Sequence, residues 1–409
     1  MLFKVKNLGL IDEAEIKLDG ITVITGENNV GKSTIGKMLY CVNNIFLYDN
    51  IEKMKIYRIE RTITNIFRET PFKRKIDELV QESDLVSSLV YGSCSLKNAL
   101  EQILSYLEDE KKIALLEFQI SKTLNDMSDE WILNEFLSIA KDTNFPNGTH
   151  NTYTDNKTTV IEISSDKMEQ NIEITSTEDK TTIENLKNVI FQEAIYIESP
   201  HVVRDGDGKI NMSHFFLNFD SRQRLLQLLT EESDADPFEK KDIALELKTI
   251  LDKVSSCAPG NLVKKNSFSN KLEYEEDGRR FDLINVSNGV KTFAILKKLL
   301  VNAKLKRNGM LILDEPEIHL HPEWQLVFVE ILVLLQKQFN LKILINTHSI
   351  YFLMAIEDYS KMHKITKNCN YYLIERKENH SSCRDCTDTL DEMYRHFAKS
   401  IDTLHNEVK

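Results

Sequence analysis

The stretch "GENNVGKST", residues 26–34, constrains this chain more than any other feature. It follows a short apolar run, "ITVIT", and precedes "IGKMLYCV", in which Ile35, Leu39 and Val42 share one face of a helix. A buried strand that turns through glycines into a helix aims a row of backbone N–H groups at one point, at the positive end of that helix. The point suits a polyphosphate. Gly26 and Gly31 frame the loop, Asn28, Asn29 and Thr34 lie along it, Lys32 reaches the β and γ phosphates, and the Ser33 hydroxyl takes a Mg²⁺ position.

Three later stretches complement that loop. "LILDEPE", 311–317, is an apolar strand that ends in two adjacent carboxylates. Asp314 is placed to hold Mg²⁺ through water, and Glu315, pointing to the other side, to polarise an attacking water. "NVSNGVKT", 285–292, puts Ser287 and Gly289 at a helix start, a second phosphate-binding surface in one chain. One chain does not easily fold both surfaces onto the same nucleotide, so Ser287 and Gly289 are expected to meet a γ-phosphate held by Lys32 of another copy. The plainer alternative is a serine that caps its own helix. "LKILINTHS" adds a strand ending at His348, which can bond the γ-phosphate or the attacking water. A lone histidine is more often structural, but its place at the end of an apolar strand in this series favours catalytic support.

The chain alternates strand and helix at both ends around an insertion. "LFKVKNLGL", "AEIKL" and "ITVIT" read as strands. From about 50 to 140 the period is helical, with stripes at Ile76, Leu79 and Val80 and at Leu96, Leu100, Ile103 and Leu107. The second stripe loses its spacing after Leu107, which argues against a long coiled-coil arm. "TTVIEISS" and "NIEIT" alternate like two antiparallel strands, and "AIYIES" is a buried-looking strand stopped by Pro200. Ile243, Leu247, Ile250 and Val254 share a helix face; "LEYEEDGRRFDLINV" predicts a hairpin turning at Asp277-Gly278. The reading is an α/β fold: a P-loop sheet flanked by helices, with an N-terminal antiparallel β portion and a mostly helical insertion. Its parts are residues 1–49, the insertion 50–190 with a small β meander, and 191–409.

The order "GENNVGKS", "VSNG", "LILDEPE", "NTHS" resembles the ATP-binding-cassette type of P-loop ATPase, in the branch containing SMC, RecF and OLD-family proteins. The opening "VKNLGLIDEAEIKLDGITVITGENNVGKST" is similar to that branch's N-terminal strands, and "DEPEIHLHPEWQ" to its Walker B and D-loop. The resemblance covers roughly residues 1 to 45 and 280 to 355. It implies ATP and Mg²⁺ as cofactors, Lys32 and Ser33 on phosphates and metal, Asp314 on metal, Glu315 as base, His348 as switch, and Ser287 and Gly289 as the signature acting across a homodimer. Two departures stand out: the signature is "SNGVK" rather than a Ser-Gly-Gly-Gln form, and no glutamine follows "AIYIES", where Ser199 and His201 are the stand-ins.

Composition and length narrow the function. Lys plus Arg number 52 against 64 Asp plus Glu, a net charge of −12, which argues against a surface that coats nucleic acid nonspecifically. "KRK" at 73–75 leaves a local basic face possible, though a solvated helix face is the commoner meaning. The richest apolar run, Leu326 to Leu335, contains Glu330 and is too short for a bilayer; with no N-terminal apolar signal core, a cytoplasmic protein is expected. About 255 residues separate Lys32 from Ser287, unlike a transporter motor. A signature motif has no use in a ring ATPase, and the insertion is too short for a chromosome clamp. A RecF-like DNA-binding repair ATPase remains the rival. About 60 residues follow His348, too few for the Toprim nuclease of OLD proteins. Similar arm-less bacterial ATPases, including the Septu-type and retron-linked ones, serve anti-phage defence. The expectation is therefore an ATP-dependent dimerising switch whose effector, a nuclease or toxin, is a separate polypeptide. His319 and His321 fit a D-loop better than a metal site. Cys369, His380, Cys383 and Cys386 could form a zinc knuckle, but the polar stretch favours a solvent-exposed hairpin with incidental thiols.

Overall fold

The computed structural model describes residues 1–45, 48–68, 74–76, 86, 110–146, 148–165, 171–177, 180–185, 193–198, 200, 220–231, 247–266 and 271–407. The stripe from Leu96 to Leu107 lies outside these residues, as do Leu79, Val80, Lys73, Ser199, His201 and Ile243.

The chain opens with a hairpin, β1 (Leu2–Leu8) and β2 (Ile11–Lys17), and then β3 (Ile21–Gly26), whose every residue is buried. The phosphate loop leads into α1 (Lys32–Ile45), where Ile35, Leu39 and Val42 are fully buried on the predicted face. Helices α2 (Tyr48–Ile66), α3 (Glu110–Asp126) and α4 (Asp129–Asn144) follow. Ile59, Ile63 and Phe67 pack with Ile76, Leu116 and Ile120 in a small apolar cluster of their own. Arg74 and Lys75 are exposed beside it.

Strands β4 (Thr159–Ser164) and β5 (Ile172–Ser176) pair antiparallel, and β6 (Thr181–Glu184) continues the meander. β4 also pairs with β1, Val5 opposite Ile161, so the meander is an edge of the main sheet. Next come β7 (Ala194–Ile197), α5 (Ser221–Thr230) and α6 (Lys248–Cys257), which buries Ile250 and Val254. A three-stranded sheet joins β8 (Asn261–Lys264), β9 (Leu272–Glu276) and β10 (Arg279–Asp282). Asp277 and Gly278, at φ 51° and 74°, make the tight turn that their sequence predicts.

The last part repeats strand and helix: α7 (Asn288–Val301), β11 (Met310–Asp314), α8 (Pro322–Phe339), β12 (Lys342–Thr347) and α9 (Ile350–Met362). A hairpin, β13 (Cys369–Lys377) with β14 (His380–Asp385), and α10 (Leu390–Glu407) complete it. Among the described residues the main sheet has eleven strands in the order β6-β5-β4-β1-β2-β14-β13-β3-β12-β11-β7. From β13 to β7 neighbours run parallel; the N-terminal side is antiparallel except where β14 meets β2. This is the mixed α/β sheet expected from the sequence.

Side chains alternate between two cores, as strand geometry requires. Leu311, Leu313, Ile343 and Ile345 face the core shared with α6 to α9, while Ile312 and Leu344 face that of α1 and α4. The hairpin expected near Cys383 exists, but its thiols are not incidental surface groups. Cys369 and Cys386 are buried in one core and Cys383 packs against the other. Because they sit on opposite faces of the sheet, no zinc knuckle forms, and among the described residues no three metal-binding side chains converge. No described helix is long and apolar enough to cross a membrane.

Candidate functional site

Adjacent parallel strands deliver the chemistry to one end of the sheet. β3 lies beside β12, and β12 beside β11, so the phosphate loop, His348 and the Asp314-Glu315 pair emerge side by side. The loop's conformation explains its glycines. Gly26 has φ 150° and Gly31 φ 104°; a Cβ on Gly26 would collide with the Ile374 carbonyl, and one on Gly31 would lie 2.9 Å from Ile11. Asn29, at φ 59°, adopts the left-handed conformation that asparagine tolerates.

A cavity of about 320 Å³ is lined by Asn28, Asn29, Gly31, Lys32, Ser33 and Thr34 together with Glu315 and His348. The Lys32 ammonium donates to the carbonyls of Gly26 at 3.1 Å and Glu27 at 2.7 Å. Burial pushes its pKa down to about 8, against the pull of the Glu315, Asp314 and Glu317 carboxylates. His348 Nε2 lies 2.7 Å from Glu315 Oε1, and its Nδ1 lies 3.5 Å from Lys32 Nζ. Burial, with the Lys32 charge, holds the imidazole below its ordinary pKa in spite of Glu315. The neutral ring with Nε2–H donating to Glu315 and Nδ1 accepting from Lys32 satisfies both contacts. The expected base, switch and phosphate-binding lysine thus form one connected row.

Asp314 ends β11 opposite Asn346 of β12. Asn346 Nδ2 donates to Asp314 Oδ1 at 2.8 Å and to the Lys32 carbonyl at 3.2 Å; the Tyr196 hydroxyl donates to Asp314 Oδ2 at 3.1 Å. Ser33 and Asp314 line a second cavity of about 310 Å³, with Glu315 shared between the two. A hydroxyl and a fixed buried carboxylate are hard oxygen donors of the kind Mg²⁺ takes through one or two direct contacts and water, so these residues fit the ion. Glu315 itself has φ 50° and donates its N–H to the Asn346 carbonyl, which turns it away from Asp314 toward His348.

Ser287 and Gly289 are not brought to this site within the chain; neither lines the two cavities. Ser287 is exposed and caps α7 by accepting from Val290 N at 3.3 Å. Gly289 is buried, and a Cβ there would meet the His319 carbonyl and Trp324 at 3.1 Å, a packing reason for glycine. His319 lines the second cavity, and His321 is the N-cap residue of α8.

Several residues of the site have no role in the reading of the motifs. Glu317 is buried and its Oε1 accepts from Thr347 Oγ1 at 2.6 Å and His348 N at 2.9 Å, bracing the two motif turns against each other. Gly36 lets α1 approach the sheet; a Cβ would lie 3.1 Å from Tyr196, 3.2 Å from Ile312 and 3.3 Å from Asn346. Glu198, where a glutamine is expected nearby, lines the second cavity and pairs with Lys37 at 3.0 Å and with Arg222. Tyr196 and Asn346 become informative only once the strand order is known.

Known proteins similar to this chain fall into two groups, curated relatives and solved structures. The chain is 28% identical over 144 residues to an ATP/GTP phosphatase of Helicobacter pylori, covering 32% of this chain and 38% of that protein. It is 22% identical over 374 residues to the Retron Vc95 probable ATPase of Vibrio cholerae, covering 86% of this chain and 69% of that one. Similar solved structures include an Smc head bound to the C-winged helix domain of ScpA, at TM-score 0.42 and 11% identity over 94% of this chain and 96% of that one. Another is the Pyrococcus furiosus Smc head with an extended coiled coil, at TM-score 0.41 and 11% identity over 100% and 99%. The family described as AAA ATPase domain matches residues 1–353, and the chain belongs to that ATPase family.

Proposed function

We propose that this chain is an ATP-binding and ATP-hydrolysing switch in which two copies close on a pair of nucleotides, acting as the ATPase subunit of a bacterial anti-phage defence system through a separate nuclease or toxin. The observation that carries the reading is the row Lys32, His348, Glu315 inside the phosphate-loop cavity, while Ser287 lies outside it. In this reading the loop N–H groups and Lys32 bind the triphosphate, and Ser33 and Asp314 hold Mg²⁺, which neutralises phosphate charge when bound. Glu315 accepts the proton of the water that attacks the γ-phosphorus as the bond to the β-phosphate oxygen breaks. His348 orients Glu315 and passes the state of the γ-phosphate to β12. The pocket is completed by Ser287 and the α7 start of the second copy, whose N–H groups suit a γ-phosphate. The retron ATPase, similar over most of this chain, supports the defence role.

Ser287→Arg tests the two-copy pocket. It should leave ATP binding by the monomer unchanged and remove the ATP-dependent dimer in a sedimentation experiment. A dimer that persists in the variant would refute the trans role of this helix start.

A further inference from the structure

The phosphate-loop cavity has a wall that the hydrolytic residues do not use. Gly9 and Leu10 from the β1–β2 turn, and Gly148, His150 and Thr152 from the segment joining α4 to β4, line it together with the loop. The segment comes from more than a hundred residues beyond the phosphate loop, yet it is fastened beside it. Gly9 N donates to the Thr149 carbonyl at 2.6 Å, and a Cβ on Gly9 would lie 3.3 Å from Thr34 of the loop.

Asn7, at φ 55°, is the clamp: its Nδ2 donates to the carbonyls of Asn156 at 2.7 Å and Thr158 at 2.9 Å, and its Oδ1 accepts from Asn151 N at 3.3 Å. Asn151 Nδ2 donates to the Asn379 carbonyl at 3.0 Å, tying the same segment to the β13–β14 turn. Thr149 and Asn151 are each 3% exposed, so the backbone on both sides of His150 is locked. A wall held this way loses little freedom when a ligand touches it.

Phosphates are bound by the loop and the start of α1, and Glu315 and His348 mark where the terminal phosphate reacts. Whatever the triphosphate carries at its other end must meet the remaining wall. We infer that the α4–β4 segment is the nucleoside half of the site, with the His150 ring stacking on the base or sugar and the Thr152 hydroxyl bonding the ribose. This rests on the reading of residues 26–34 as the phosphate site. It makes nucleotide recognition a property of a segment contributed from outside the P-loop motifs.

The test compares ATP with inorganic tripolyphosphate by calorimetry on the full chain. For His150→Ala, ATP affinity should fall about tenfold, the size of one lost ring–base contact, while tripolyphosphate affinity stays the same. Thr152→Val, a smaller change, should move in the same sense by a few fold. Unchanged ATP affinity in both variants overturns the inference, and so does an equal fall for both ligands, which would make the segment a mere support of the phosphate loop. Lys32→Ala separates the two readings: if it binds tripolyphosphate as the unmodified protein does, the phosphate assignment itself fails.

Discussion

Replacing Glu317 gives a quantitative test of how the site is held. The carboxylate is 7% exposed, and one oxygen accepts from both the Thr347 hydroxyl and the His348 N–H. Glu317→Leu leaves two largely buried donors without an acceptor, at about 1–3 kcal/mol each, so a loss of about 2–4 kcal/mol is expected with partial relaxation. In a chain of 409 residues that lowers Tm by about 2–5 °C. Glu317→Gln keeps a carbonyl oxygen for both donors and should cost under about 1 kcal/mol. The pH dependence has a definite sign. Burial raises the pKa of Glu317, with Glu315 adding to it and the Thr347 and His348 donors opposing it, so the folded chain holds its proton longer than the unfolded chain. The group therefore contributes most stability below its ordinary pKa and loses that contribution as pH rises through the raised folded value. Melting curves at a pH below the ordinary carboxylate range and at about pH 8 should show the glutamine variant gaining on the unmodified protein at the higher pH. A leucine variant as stable as the unmodified protein, or a glutamine variant as damaged as the leucine one, would refute the brace.

Two further substitutions probe the loop and its seat. Lys32→Ala should abolish triphosphate binding in a calorimetric titration, because its ammonium lines the phosphate-loop cavity; normal binding would remove the phosphate assignment. Gly36→Ala should cost about 1–3 kcal/mol from overpacking against Tyr196, Ile312 and Asn346 and should slow hydrolysis, since two of those side chains hold Asp314; an unchanged Tm would mean that α1 has room to move.

Much of this site was legible because its residues sit at the ends of strands with an unmistakable apolar pattern. "ITVIT", "MLILD" and "LKILIN" become β3, β11 and β12, and the polar residue that ends each run is carried to the same end of the sheet. What joins those ends was not legible. Asn346 bonding both Asp314 and the Lys32 carbonyl depends on β12 lying between β3 and β11, a neighbour relation that no local pattern encodes. Tyr196 comes from the far side of β11, and Glu317 looks like one more acid in a row of them until its burial is seen. The hairpin at 369–385 was misjudged for a related reason. Its second strand carries "HSSCRD", polar enough for a surface, yet it lies between β13 and β2, where Ser381 is fully buried and Cys386 just beyond it enters the core. The segment holding His150 gave no signal at all, since its position depends on Asn7, Asn151 and Gly9 meeting across more than a hundred residues.

The central claim is that ATP holds two copies together until Glu315 allows hydrolysis. Glu315→Gln should bind ATP normally, slow turnover by about 10²–10⁴ and let the complex accumulate. Native mass spectrometry of that variant should record a dimer carrying two nucleotides when ATP and Mg²⁺ are present and a monomer when they are absent. A monomer with one bound ATP in both the variant and the unmodified protein would contradict the account.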